Sequence, residues 1–497
     1  MVPPLKNSFF PGGAGKVYMQ GKRYETAVPG RTKRKLAAAL LVLVVVGSSA
    51  AVYTFVLPKR GSLALIGFDP DRAFIDEEAL CDLGPRVPGS QAGQAGAEYV
   101  LEGFMKANLS DAHMEEHELT TFKVNSASLS LYVAQPRNPV RRTYTHITDF
   151  VLYQYSGSTN GDLRLEIVDG GNGTEEAFNG VDVGGKAVLT TLQCLPRAAE
   201  HGARAVLVQN TRLAAGMGYP PYSGGLYGGD ANGDSIPYPD AYPGAVVPTC
   251  AVSGPVGEQI RQSINGSRHL PVLGTGTVWI EMNFDTTIAK GTIRNVVGDV
   301  KGAGSRGIIY IVAHRDCTYI NPGAVDNAAG VATIMELARQ LARCDISRTI
   351  RFIATDAEEQ GLLGATEYVK SHESEVRERG ILVINFDMND VNLKRVKVLN
   401  IESSDANNSR VLGDLSGMML ARHPQFGERY TVNITKGGGG ADGGPFMKRG
   451  AGGCLAMGQW GSSEEYHTEW DTIDHVNPES WAVGGILLGS LALHVAS

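Results

Sequence analysis

Three short apolar segments in the C-terminal half constrain this chain most: residues 308–313, 349–354 and 381–385. Each has the length of a strand and is too apolar to leave one face in water. Helical periodicity over 331–341 separates the first two. Strand, helix and strand in alternation predict an α/β three-layer sandwich around a mixed, largely parallel sheet. Ligands of such sheets gather at the carboxyl ends of the strands. Here those ends carry His314-Arg315-Asp316, Thr355-Asp356-Ala357-Glu358-Glu359 and Asn385-Phe386-Asp387. Asp326 lies between the first two strands, and Tyr466-His467-Thr468 follows a further apolar stretch at 454–460.

Two histidines and at least three carboxylates therefore converge on one edge. Nitrogen and oxygen donors without thiolate suit zinc in an open catalytic site, and no Cys-x-x-Cys occurs. One catalytic metal needs three protein ligands. Five suit two metals about 3.5–4 Å apart, provided one carboxylate bridges them. Of the adjacent Glu358 and Glu359, one can bind metal while the other serves as general base. In an extended His-x-Asp, Asp316 points to the same side as His314 and can accept its second imidazole N–H. Asp326 has a plainer reading as the cap of the following helix. Taken singly, each of these features is common; their order and shared position at strand ends carry the argument.

The strings AHRDCTYINPGAVDNAAGVATIMELAR, FIATDAEEQGLLGATEYV, INFD and YHTEWDT, with GPRVPGS upstream, resemble the co-catalytic zinc exopeptidases of the aminopeptidase Y and glutamate carboxypeptidase family. The likeness covers about residues 74–497. It implies two Zn2+ ions held by His314, Asp326, Glu359, Asp387 and His467, with Asp326 bridging. It implies Glu358 as general base, Asp316 in support of His314, Tyr466 as a partner of the tetrahedral oxyanion, and Asp471 as a supporting acid. The substrate implied is a peptide cut at its end. An aminopeptidase is favoured because no Arg cluster awaits a C-terminal carboxylate. A carboxypeptidase or dipeptidase of the same family is the alternative, as is a receptor-like relative without catalysis, although such relatives lose ligands that are kept here. Cys317 and Gly443 depart from the family pattern, where Ser and His are common.

Residues 36–57 form a 22-residue stretch without charge, long enough to cross a hydrocarbon core of about 30 Å as a helix. Eight Lys/Arg against Glu25 precede it, which predicts a cytosolic tail over 1–35 and a catalytic part outside the cell or in a lumen. Beyond residue 35 the chain holds 37 basic and 51 acidic side chains, and a net charge of −14 gives no support for nucleic-acid binding. Residues 58–144 read as the first part of the peptidase domain and 288–497 as its main part. Between them, 145–287 resembles a β-rich protease-associated insert, through VDGGNG, GKAVL and HGARAVLVQN. Five Asn-x-Ser/Thr sequons, at Asn108, Asn172, Asn265, Asn407 and Asn433, fit an exported glycoprotein. A second apolar stretch, 481–496, reads as a buried closing helix rather than a span. Disulfide pairing and oligomeric state are not specified.

Overall fold

Along the strand Ile308–His314, alternate side chains enter different cores. Ile309, Ile311 and Ala313 pack on one side of the sheet, and Ile308, Tyr310 and Val312 on the other. The strands Thr349–Thr355 and Gly380–Phe386 divide in the same way, with Phe352 and Ile384 on the first side and Ile353 and Val383 on the second. Helices Gln91–Lys106, Ala329–Leu341 and Pro478–Ala496 cover the first face, and Leu363–Ser371 and Gly443–Lys448 the second. A sheet apolar on both faces needs this double cover, which gives three layers. This is a computed structural model describing residues 63–134, 139–211, 220–268, 277–304, 307–389, 398–458 and 465–497. The predicted tail and membrane helix, 1–35 and 36–57, lie outside the described residues.

Ile308–His314 sits centrally, parallel to Thr349–Thr355 on one side and to Gly380–Phe386 on the other. Cys454–Met457 continues in parallel beyond Gly380–Phe386, so four carboxyl ends point to one edge. Val398–Ser403 then pairs antiparallel and makes the sheet mixed.

Two long strands that the sequence did not announce, Ser110–Val133 and Val278–Val300, pair antiparallel from Ser110 with Asp299 to Val133 with Val278. At one end Val296–Val300 joins Thr349–Thr355; at the other, Trp279–Met282 joins Leu163–Asp169. From there the sheet continues through Ala187–Thr190, Ala205–Gln209 and Thr249–Val252, all in parallel, to Phe150–Leu152. This second region has its own cores, one around Leu207, Val252 and Ile260, the other around Val188, Val206 and Ala251.

Pro478–Ala496 is the one described helix long and apolar enough to cross a membrane, and 83% of its most apolar window is buried in the protein. Trp481 stacks on Phe74 with ring centroids 6.1 Å apart, and Ser490 Oγ accepts the Ile66 N–H at 3.0 Å. All six cysteines are free thiols.

Candidate metal centre

His314 is the last residue of its strand, and the extended backbone stops there. Asp316 lies two residues beyond that end. Its Oδ1 and Oδ2 accept the backbone N–H groups of Glu358 and Glu359 at 3.0 and 3.2 Å. His314 Nδ1 meets the Asp316 carbonyl oxygen at 3.2 Å, whereas the carboxylate lies 3.6 Å away. The Asp316 side chain thus positions the Glu358-Glu359 turn across the neighbouring strand end.

The predicted ligand-type side chains meet in two groups: His314, Asp326 and Asp387, and Asp326, Glu359 and His467. Within each, the candidate donor atoms lie within 4.8 Å of one another. His314 Nε2 stands 3.2 Å from Asp326 Oδ1 and 3.5 Å from Asp387 Oδ1. His467 Nε2 stands 3.4 Å from Asp326 Oδ2 and 2.8 Å from Glu359 Oε2. Asp326 belongs to both groups, one oxygen in each.

Asp326 does not cap the following helix. That task falls to Asn327, whose Oδ1 accepts the Gly330 N–H at 3.0 Å and whose Nδ2 donates to the Phe386 carbonyl at 2.9 Å. Asp471 holds the Asp326 segment by accepting the N–H groups of Val325 at 2.6 Å and Asp326 at 3.1 Å. Arg86, fully buried, donates to the carbonyls of Arg315, Pro322 and Gly323 and so ties the His314 and Asp326 loops together.

So many buried carboxylates in one place favour either protonation or a bound cation. Burial pushes Glu359 up to about 7, with the Asp326 charge adding to it against His467. Burial likewise raises Asp442 to about 7, and Thr355 donates to its Oδ2 at 2.5 Å. Glu358 is raised well above the carboxylate range by burial and by Asp387, Glu359 and Asp442, despite His314. Burial opposes protonation of His314 and His467, yet the carboxylates around each raise both well above the ordinary imidazole value. His314 Nε2 and Glu359 Oε1 are buried without a hydrogen-bond partner among the described residues. Such atoms are costly unless a metal completes them, and an N/O donor set of this kind fits zinc.

A cavity of about 630 Å³ opens over the two groups, and Glu358, half-buried, lines it beside Asp326, Glu359, Asp387 and His467. Tyr466 stacks on His467 with centroids 3.8 Å apart, and Tyr222 covers the same imidazole at 5.2 Å. Burial, then Tyr222 and the nearby carboxylates, raises the Tyr466 phenol and keeps its proton. Sequence reasoning missed the wall formed by Tyr222, Leu226 and Tyr227, because their Gly-, Tyr- and Pro-rich stretch carries no helical or strand period. The Ser223 N–H donates to the His467 carbonyl at 3.1 Å. At Gly225 a Cβ would come within 2.8 Å of the Glu359 carbonyl oxygen, so the loop lies directly on the ligand backbone. The tyrosines of that segment were its only sequence signal. Cys317 takes no part in the cluster; its thiol receives the Arg86 N–H at 3.1 Å, and burial pushes it up to about 12.

Residues 295–488 match the family model described as Peptidase family M28. The chain is 26% identical to Aminopeptidase YwaD of Bacillus subtilis over 68% of this chain and 69% of that one. It is 27% identical to the Probable leucine aminopeptidase 2 of Aspergillus fumigatus over 48% of this chain and 44% of that one. It spans a quarter of the Leucine aminopeptidase 2 of Trichophyton rubrum, at 32% identity over 25% of each. Its fold resembles that of BSAP, a zinc aminopeptidase from Bacillus subtilis, with a TM-score of 0.64 at 21% identity over 88% and 97% of the chains. It also resembles a Peptidase M28 precursor from Shewanella amazonensis, with a TM-score of 0.67 at 19% identity over 86% and 93%. The matched segment contains every residue of the two donor groups, and the comparisons together support a zinc metallopeptidase of the M28 kind.

Proposed function

We propose that this chain is an aminopeptidase that holds two Zn2+ ions, anchored in a membrane by residues 36–57 with 58–497 on the outer side. The observation that carries the reading is the division of the Asp326 carboxylate, one oxygen toward His314 and the other toward His467. His314 and Asp387 would hold one ion, Glu359 and His467 the other, and Asp326 both. Zinc there supplies Lewis acidity toward the peptide carbonyl and lowers the pKa of water.

The protein's own groups do the rest. Glu358, which lines the cavity and is not needed in either donor group, takes a proton from the attacking water and returns it to the leaving amine. Asp316 keeps Glu358 aimed through its backbone N–H. Tyr466, held protonated, donates to the developing oxyanion. Residues 145–287 are read as the protease-associated insert, which walls the cavity through Tyr153, Tyr222 and Tyr227. The uncharged 36–57 stretch and the basic residues before it support the anchor.

The test is hydrolysis of matched peptides by the zinc-loaded protein. N-free peptides should be cut from the amino end whether or not the carboxyl end is blocked, and N-acetyl peptides should not. Cleavage that survives acetylation but stops on C-terminal amidation would replace the aminopeptidase with a carboxypeptidase.

A further inference from the structure

Beside the metal cavity lies a second chamber of about 250 Å³. Tyr153, Gln193 and Tyr222 line both, so the two share a wall. The rest of the second chamber comes from outside the metal centre. Thr191 follows the strand Ala187–Thr190, Asn210 follows Ala205–Gln209, and Ala251 lies in Thr249–Val252. These three strands are parallel, so the chamber sits at carboxyl ends, where open α/β sheets bind ligands. Among the described residues, none of its lining side chains is charged; they supply hydroxyls, amides and apolar groups.

The partition between the chambers is fixed to the metal centre. Tyr222 stacks on His467, the Ser223 N–H donates to the His467 carbonyl, and the Gly224 carbonyl accepts the Gln154 N–H at 3.0 Å. A cavity of 300–1,000 Å³ takes a drug-sized ligand, so the main cavity suffices for the two residues flanking a scissile bond. The second chamber is left for what the substrate carries farther along.

We propose that this chamber is a peptide subsite that receives an uncharged side chain beyond the two residues at the scissile bond, so that the enzyme reads the third residue of its substrate. The proposal rests on the aminopeptidase reading and narrows it. A Lys or Asp side chain entering the chamber loses water and meets no counter-charge among the described lining residues, which is costly. A Leu or Gln side chain meets apolar surface or hydrogen-bonding amides.

The probes are Leu-Gly-amide and the series Leu-Gly-X-amide with X as Leu, Gln, Asp or Lys, hydrolysed by the zinc-loaded protein. The expected result is a kcat/KM for X = Leu and Gln about tenfold or more above that for Asp and Lys, the scale of discrimination a pocket achieves. Thr191→Trp should fill the chamber and abolish this preference while leaving Leu-Gly-amide unchanged. Leu192→Asp, at a rim residue that is 58% exposed and so tolerant of change, should raise X = Lys relative to X = Leu. Equal rates for all four X, or unaltered ratios in both variants, would overturn the subsite while leaving the aminopeptidase intact. No hydrolysis of any peptide, Leu-Gly-amide included, would overturn the aminopeptidase reading and the subsite with it.

Discussion

Removing zinc from this protein should change its stability by an amount that depends on pH, and the sign follows from Glu359. In the metal-free site its carboxyl is pushed up to about 7 from an ordinary 4.5. At about 1.4 kcal/mol per pH unit, keeping that carboxylate ionised and buried costs about 3 kcal/mol. A carboxyl raised in the folded state binds a proton that the unfolded chain has released. Its stabilising effect is therefore complete below pH 4.5 and is lost as pH rises through about 7. His314 and His467, both raised, act in the same direction across that window. Asp326 is held low by its two histidines, after burial that alone would raise it, and loses its contribution only in stronger acid. The metal-free protein should accordingly be about 3 kcal/mol or more less stable at pH 8 than at pH 5 through this centre. Zinc needs deprotonated ligands, so it should restore stability at pH 8 and bind on the order of a hundredfold more weakly at pH 5, one decade per pH unit for a single displaced proton. Thermal unfolding with and without a chelator, and zinc competition titrations, at pH 5 and 8 measure both effects. A zinc-induced rise in melting temperature that is the same at the two pH values would refute the argument.

Glu358→Gln should keep both metals and lose about 10²–10⁴ in turnover; metal analysis showing equal loss in Glu358→Gln and Glu359→Gln would mean the pair is assigned the wrong way round. Asp326→Asn should lower zinc from two per chain toward one or none, with activity falling in parallel; two zincs and near-normal turnover would sink the bridge. Asp471→Asn weakens the acceptor for the Val325 and Asp326 N–H groups. It should weaken zinc binding by about 10–100-fold, as changes to groups behind a ligand do, and unaltered affinity would count against it.

The catalytic sheet was legible because its strands are apolar on both faces and end in polar clusters. The second set of strands was only partly legible. Ser110–Val133 carries many His, Glu and Thr side chains and is mostly half-buried, so it lacks the apolar run of the central strands. Its partner Val278–Val300 was hidden for the same reason, since pairing over such a distance leaves no local signal. The residues of the two donor groups stood out because His and carboxylate side chains gather at the ends of buried apolar strands. The hold of Asp316 on the Glu358 and Glu359 N–H groups was not legible, because it joins two different strand ends. Nor could the sequence tell that Asn327, rather than Asp326, meets the helix N-terminus, since either side chain caps equally well.

The cavity wall depended on contacts between segments hundreds of residues apart. Tyr222 reaches His467, Gly225 lies on Glu359, and Tyr155 donates to Gln360 at 2.9 Å. Asp234, in the turn after the strand Tyr227–Gly229, is gripped by Lys448 at 2.6 Å and Arg449 at 2.5 Å, at the end of the helix that begins beside Asp442. Asp234 is buried, so its charge needs these two partners, and the partners in turn fix the turn against the catalytic layer. The segment that walls the substrate cavity is thus fastened at several points to the backbone that presents the metal ligands. Cavity shape and donor-group geometry share one set of contacts, and a change in the loop near Tyr222 reaches the two donor groups through His467 and Glu359 without touching either donor atom.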